Sequence, residues 1–143
     1  MIRRLDHVAV AIRDTEEALR MFRDRLGLAV VHFEVSEQPP VRLTYLDTGN
    51  TYLQLVEPLA PDIEIGRWIE EHGEGIHHLC FGSDDPLAEA AGLSPDGAPE
   101  PVAGGGRGRV SVFVPGGPQH GVRIECTEFR RHEDVARMRG WLK

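Results

Sequence analysis

The feature that most constrains this chain is an internal repeat with an offset of 71 residues. The stretch LDHVAVAIRD, residues 5–14, carries His7 and, seven residues on, Asp14 at the head of a helical pattern. The stretch IHHLCFGSDD, residues 76–85, carries His78 and, seven residues on, Asp85. Forty-seven residues beyond each histidine lie Gln54, in TYLQLVEP, and Glu125, in GVRIECTE. A repeat of this kind makes each copy one supersecondary unit whose apolar face must be buried against a neighbour. Two copies in 143 residues imply a single α+β domain made of paired modules.

Each half reads as strand, helix and three strands, a βαβββ module. In module one, about residues 3–58, RLDHVAVAI alternates as a strand, Asp14 caps the helix TEEALRMFRDRL, and Gly27 ends it. Ala18, Leu19, Phe22 and Leu26 share one face of that helix. Strands follow at LAVVHFEV, VRLTYLD and TYLQLVEP. A linking helix at about 62–72 packs Ile63, Ile65, Trp68 and Ile69. Module two, about 75–128, has a short helix PLAEAAGL, a weak strand near APEPVA, and strands RVSVFV and GVRIECTE. An amphipathic helix at about 131–142 closes the chain.

Strand parity selects which polar side chains gather. Alternate residues point to opposite faces, so His7 shares a face with Ala9 and Ala11, Gln54 with Tyr52 and Val56, and Glu125 with Arg123. Of the adjacent pair His77–His78, the repeat offset makes His78 the partner of His7 and His77 the counterpart of Asp6. His7, Gln54, His78 and Glu125 therefore occupy equivalent places, on the face that each module's helix leaves open. Two imidazoles, a carboxylate and a carboxamide in such places point to one divalent metal ion, since imidazole binds first-row metals well and carboxylate adds charge. The alternative is a buried hydrogen-bond network of the same four residues.

Charge and cysteine content narrow the class. A formal net charge of −7 argues against nucleic acid or an anionic membrane as the main partner, and no segment reads as a signal peptide or a membrane span. A cytoplasmic location is expected. Cys80 and Cys126 read as small buried hydrophobes and not as a disulfide. The glycine-rich AGGGRGR, residues 103–109, lacks the ending and context of a phosphate cradle and reads as a mobile loop, with Arg107 or Arg109 as an occasional phosphate contact. His32, His72, His120 and His132 have no repeat partner and receive no role.

The segments LDHVAVAIRDTEEALRMFRDRLGL, SEQPPVRLTYLDTGNTYLQLVEPL, WIEEHGEGIHHLCF and RVSVFVPGGPQHGVRIECTE span residues 5–127. Through them the chain resembles the vicinal oxygen chelate superfamily and, within it, the methylmalonyl-CoA epimerases. The resemblance implies a curved mixed sheet around a metal-centred cleft, with cobalt, manganese or zinc held by His7, Gln54, His78 and Glu125. It also implies a homodimer and a 1,1-proton transfer on methylmalonyl-CoA or a similar 2-substituted acyl-CoA, through an enolate that the metal stabilises. With Gln54 in place of a second carboxylate, the ion and its ligands keep a net charge near +1, which favours an anionic bidentate substrate. Glu125 is the expected catalytic acid or base.

The family's second acid/base, a glutamate on the third strand, aligns with Arg42 here. Glu34 and Glu37 are read as loop charges before that strand. A glyoxalase I-like lyase acting on a hemithioacetal uses the same four positions and is the alternative. A non-haem metal dioxygenase, built on His7, His78 and Glu125 with Gln54 in the oxygen position, ranks third. A metal-free binding module would have no use for four ligands.

Overall fold

A computed structural model describes residues 1–94 and 105–135. The chain divides into two compact units, one of residues Val8–His77 and one joining Met1–His7 to the described part of His78–Lys143. Seven strands are described: β1 (Ile2–Ala11), β2 (Ala29–Glu37), β3 (Pro40–Asp47), β4 (Tyr52–Pro58), β5 (Gly75–Ser83), β6 (Ser111–Phe113) and β7 (Ile124–Glu128). The helices are α1 (Thr15–Leu19), which continues as a π-helical segment Arg20–Arg25, α2 (Glu64–His72) and α3 (Pro86–Leu93). The class is α+β with parallel and antiparallel strand pairs. The weak strand expected near APEPVA, and the tail helix beyond residue 135, fall outside the described residues; residues 131–135 are helical.

In the Val8–His77 unit the strand order is β2-β3-β4-β1, with β2/β3 and β3/β4 antiparallel. Asp14 caps α1 by accepting from the Glu17 amide at 2.9 Å, which satisfies one of the helix's unpaired N–H groups. Leu19, Ala18 and Phe22 then pack on Ile12, Leu46 and Leu55. The helix departs from the continuous α pattern expected of it: Leu26 N–H bonds to Met21 C=O at 2.9 Å, a π turn. The extra residue in that turn rotates later positions around the axis, so Leu26 is 60% exposed and Leu28 packs on the cluster in its stead. Gly27, at φ 77°, ends the segment as expected.

The opposite sheet face of this unit carries Ala9, Ala11, Val41, Leu43, Tyr45, Tyr52 and Val56, and α2 covers part of it through Ile65, Ile69 and Trp68. Two sequence expectations change here. Glu37 lies within β2 and not in a loop, because β2 runs two residues past Val35 before the turn into Pro40, and Glu34 falls inside the strand expected at LAVVHFEV. Arg42 points to the α1 side, where its Nη1 lies 3.4 Å from Glu57 Oε2, while Glu57 Oε1 accepts from the Thr15 amide at 2.7 Å. Leu43, and not Arg42, occupies the β3 position on the Gln54 side, since β3 residues alternate and Tyr45 stands opposite Gln54.

In the other unit the order is β1-β5-β7-β6, with β5/β7 parallel and β6/β7 antiparallel. Asp85 repeats the role of Asp14, accepting from the Ala88 amide at 3.1 Å to cap α3, with Pro86 in the first turn. The strand expected over GVRIECTE is shorter, because Gln119 and Val122 bridge across a two-residue turn in which His120 and Gly121 both have positive φ. The apolar cluster of this unit is Ala90, Val112, Val114 and Cys126, with Ile124 against it.

Candidate metal centre

Three of the four residues singled out by the repeat come together within one unit. His7 stands on β1, His78 on β5 and Glu125 on β7, three neighbouring strands. Glu125 Oε1 lies 3.5 Å from His7 Nε2 and 3.7 Å from His78 Nε2. The two rings meet edge to face, 5.6 Å between centroids and 72° between planes. Metal–ligand bonds near 2.1 Å put neighbouring tetrahedral donors about 3.4 Å apart, so these separations suit a divalent ion between the donors. Both histidines are buried, and the Glu125 side chain is 12% exposed.

The surroundings tune each donor. Burial pushes the Glu125 carboxyl above its ordinary value, and the charge of His7 and a hydrogen bond from the Cys80 thiol offset this only in part. Burial, reinforced by the negative charge of Glu125, holds the Cys80 thiol well above its usual value, and the thiol donates to Glu125; with Asp6 and His7, Cys80 also forms a second cluster of closely spaced donors. Cys80 and Cys126 are both free and buried, as expected. Behind His7, Asp6 Oδ2 accepts from His7 Nδ1 at 2.7 Å and from Arg107 Nη2. Burial alone would raise Asp6, but the hydrogen bond from His7 and the charge of Arg107 outweigh it and hold the carboxyl well below the usual range. The His78 ring packs edge-on against Phe113 at 5.0 Å, and the Arg123 guanidinium lies over that same phenyl ring at 4.3 Å.

Gln54 belongs to the Val8–His77 unit, buried on β4, where its Nε2 donates to Tyr45 Oη at 2.7 Å. His77 also lies in that unit. Its Nε2 is 3.2 Å from Glu64 Oε1 and its ring meets Trp68 edge-on at 5.1 Å, both residues of α2. On the Gln54 side of β2, His32 Nε2 is 3.1 Å from Glu34 Oε1, and Glu34 stands across from Leu43.

Sequence reasoning did not find Asp6, Arg107, Phe113 or the His32–Glu34 pair. Alternation assigned Asp6 to the face opposite His7, but the imidazole reaches back along its own strand to the neighbouring carboxylate. The sequence reads the segment of Arg107 and Arg109 as a mobile loop with an occasional phosphate contact by one or the other. The structure turns Arg107 onto Asp6 and Arg109 onto Asp134, at 2.9 and 3.0 Å. For the His32–Glu34 pair the i, i+2 spacing in a strand was an available signal.

Residues 6–113 match the model of the Glyoxalase/Bleomycin resistance protein/Dioxygenase superfamily. An uncharacterised Bacillus subtilis protein, YqjC, is 35% identical over 78 residues, 54% of this chain and 56% of that protein, so the match spans little more than half its length. The ethylmalonyl-CoA/methylmalonyl-CoA epimerase of Cereibacter sphaeroides is 34% identical over 99 residues, covering 68% of this chain and 74% of the epimerase. A solved structure of a glutamate-to-leucine variant of Streptomyces coelicolor methylmalonyl-CoA epimerase in complex with 2-nitronate-propionyl-CoA superposes with a TM-score of 0.77 at 34% identity, covering 90% of this chain and 95% of that one. Among the described residues, no helix is long and apolar enough to cross a membrane.

Proposed function

The chain belongs to the Glyoxalase/Bleomycin resistance protein/Dioxygenase superfamily, and from that premise we propose that it is a metal-dependent epimerase of methylmalonyl-CoA or a similar 2-substituted acyl-CoA. The observation that carries the reading is the His7–His78–Glu125 group, whose nitrogen and oxygen donors stand at metal-ligand separations on three neighbouring strands. Gln54 enters the proposed ligand set on the sequence repeat. Cobalt, manganese or zinc suits these nitrogen and oxygen donors. When bound, such an ion supplies Lewis-acid stabilisation of negative charge developing on the thioester oxygen.

Epimerisation moves one proton from C2 to a base on one face, leaves the bonding pair delocalised into the thioester carbonyl, and returns a proton to C2 from the other face. Glu125 is the proposed group on one side. Such a proton-transferring group contributes about 10²- to 10⁴-fold. The position of a third-strand glutamate is Leu43 here, which cannot carry a proton. The second group is proposed to be Glu34, Glu37 or a bound water.

A homodimer is part of the proposal. Val30, Phe33 and Val35 line one exposed face of the edge strand β2, a surface suited to pairing with a second copy. The free, buried cysteines suit a reducing compartment such as the cytoplasm.

The test is methylmalonyl-CoA in heavy water with cobalt supplied. Deuterium should enter C2 faster than in the enzyme-free control, Glu125→Gln should suppress that exchange, and inversion slowed more than exchange in Glu34→Gln or Glu37→Gln would identify the second group. Absence of both exchange and inversion would remove this substrate and put the hemithioacetal lyase in front. Turnover that requires iron and consumes oxygen would replace both with a dioxygenase.

A further inference from the structure

The segment Gly105–Arg109 is built in a way that a surface loop does not need. A Cβ on Gly105 would fall 2.2 Å from Ser111 Oγ and 2.7 Å from the Arg109 carbonyl oxygen, so only glycine lets the chain lie this close to β6. Arg107 then adopts φ 62° and ψ 24°, the left-handed region that a side chain with a Cβ rarely enters and that tends to persist where surrounding structure over-determines it. Its guanidinium is turned inward, 13% exposed, onto Asp6, which is 1% exposed. The oxygen of Asp6 that receives Arg107 Nη2 is the one that accepts from His7 Nδ1. Arg109 Nη1 stands 3.8 Å from the other oxygen of Asp6 while its fork is occupied by Asp134.

From this geometry we propose that Arg107 is a positioning residue for His7. A carboxylate that accepts from Nδ1 holds the imidazole in the tautomer whose Nε2 carries the lone pair, and Nε2 is the atom that faces Glu125. Arg107 fixes that carboxylate in place. Its backbone is held in an uncommon conformation so that the guanidinium can reach a buried acid from a glycine-rich turn. The role rests on the reading of His7 as a metal ligand. It replaces the phosphate contact that the sequence suggested for Arg107, since the guanidinium is committed to Asp6.

The experiment compares Arg107→Gly and Arg107→Lys in the full-length chain. Glycine accepts φ 62° without strain, so the first variant removes the guanidinium and spares the turn; lysine restores the charge. Two readouts are taken: the cobalt dissociation constant, and the nitrogen chemical shifts of His7 in metal-free protein, which report its tautomer. Arg107→Gly should weaken cobalt binding about 10- to 100-fold and depopulate the Nδ1–H tautomer, and Arg107→Lys should recover most of both. Wild-type shifts and cobalt affinity in Arg107→Gly would overturn the proposal. If Arg107→Gly does not fold, an Arg107→Lys protein that folds, has the wild-type tautomer and still binds cobalt at least 10-fold more weakly would overturn it too. If the wild type binds no cobalt, the metal reading fails by itself, and the tautomer comparison still decides what Arg107 does.

Discussion

The two units are held together by different means. Val8–His77 carries two apolar clusters, one under α1 and one under α2, with Leu46, Leu55 and Tyr45 almost completely buried. The unit with His7, His78 and Glu125 has one small described cluster of Ala90, Val112, Val114 and Cys126, and beside it buried charges: Arg107 on Asp6, and Arg109 forked onto Asp134. The Asp134 carboxylate also accepts from the Arg130 amide at 2.8 Å, at the head of the helical residues 131–135. Among the described residues, one unit thus shows mainly apolar packing, and the other pairs buried charges beside a smaller apolar cluster. Charges that are buried and paired hold polar side chains in fixed places, at the cost of making each partner indispensable. The proposed metal donors His7, His78 and Glu125 lie in that unit.

Breaking the larger charge pair should have the largest effect. Arg109→Met leaves Asp134 buried with its main partner gone, and should cost about 3–5 kcal/mol of stability in urea unfolding. In the apolar half, Leu55→Ala should cost about 2–5 kcal/mol by the same measurement. A negligible loss from Arg109→Met beside a large one from Leu55→Ala would refute the contrast between the halves.

Asp6 sharpens the contrast through pH. Its carboxyl is held well below the ordinary range in the folded chain, so its charge contributes stability that is fully present above the unfolded value, about 4, and is lost as pH falls toward the folded value. In metal-free protein, Asp6→Asn should lower stability near neutral pH and flatten the loss seen below about pH 4. Acid unfolding curves that coincide for wild type and variant would contradict this. With cobalt supplied, the same substitution should weaken binding about 10- to 100-fold.

The fold class, both helix caps and the grouping of His7, His78 and Glu125 were legible because they depend on the repeat and on strand parity. Asp14 and Asp85 recur at the repeat offset and both cap helices. What the repeat does not encode is which neighbour a polar residue meets. Asp6 and His77 hold equivalent positions, yet Asp6 bonds the adjacent imidazole and Arg107, while His77 turns to Glu64 and Trp68 of α2. Those partners come from the linker and the glycine turn, which have no counterpart in the other copy. The π turn that displaced Leu26, and the parity that replaced Arg42 by Leu43, were hidden for a related reason: a single added residue changes every later facing, and one-residue shifts leave little trace in composition.

In the proposed site the two copies of the repeat deliver one histidine each, with Glu125, to a single divalent ion. Cobalt titration of the purified full-length chain, followed by the visible spectrum of the bound ion, decides whether they do. The expected result is one cobalt per chain, with binding severely weakened in His7→Ala, His78→Ala and Glu125→Ala and nearly unchanged in His77→Ala, whose ring packs on α2. A wild-type chain that takes up no divalent ion, or a site emptied by His77→Ala and spared by His78→Ala, would contradict the claim.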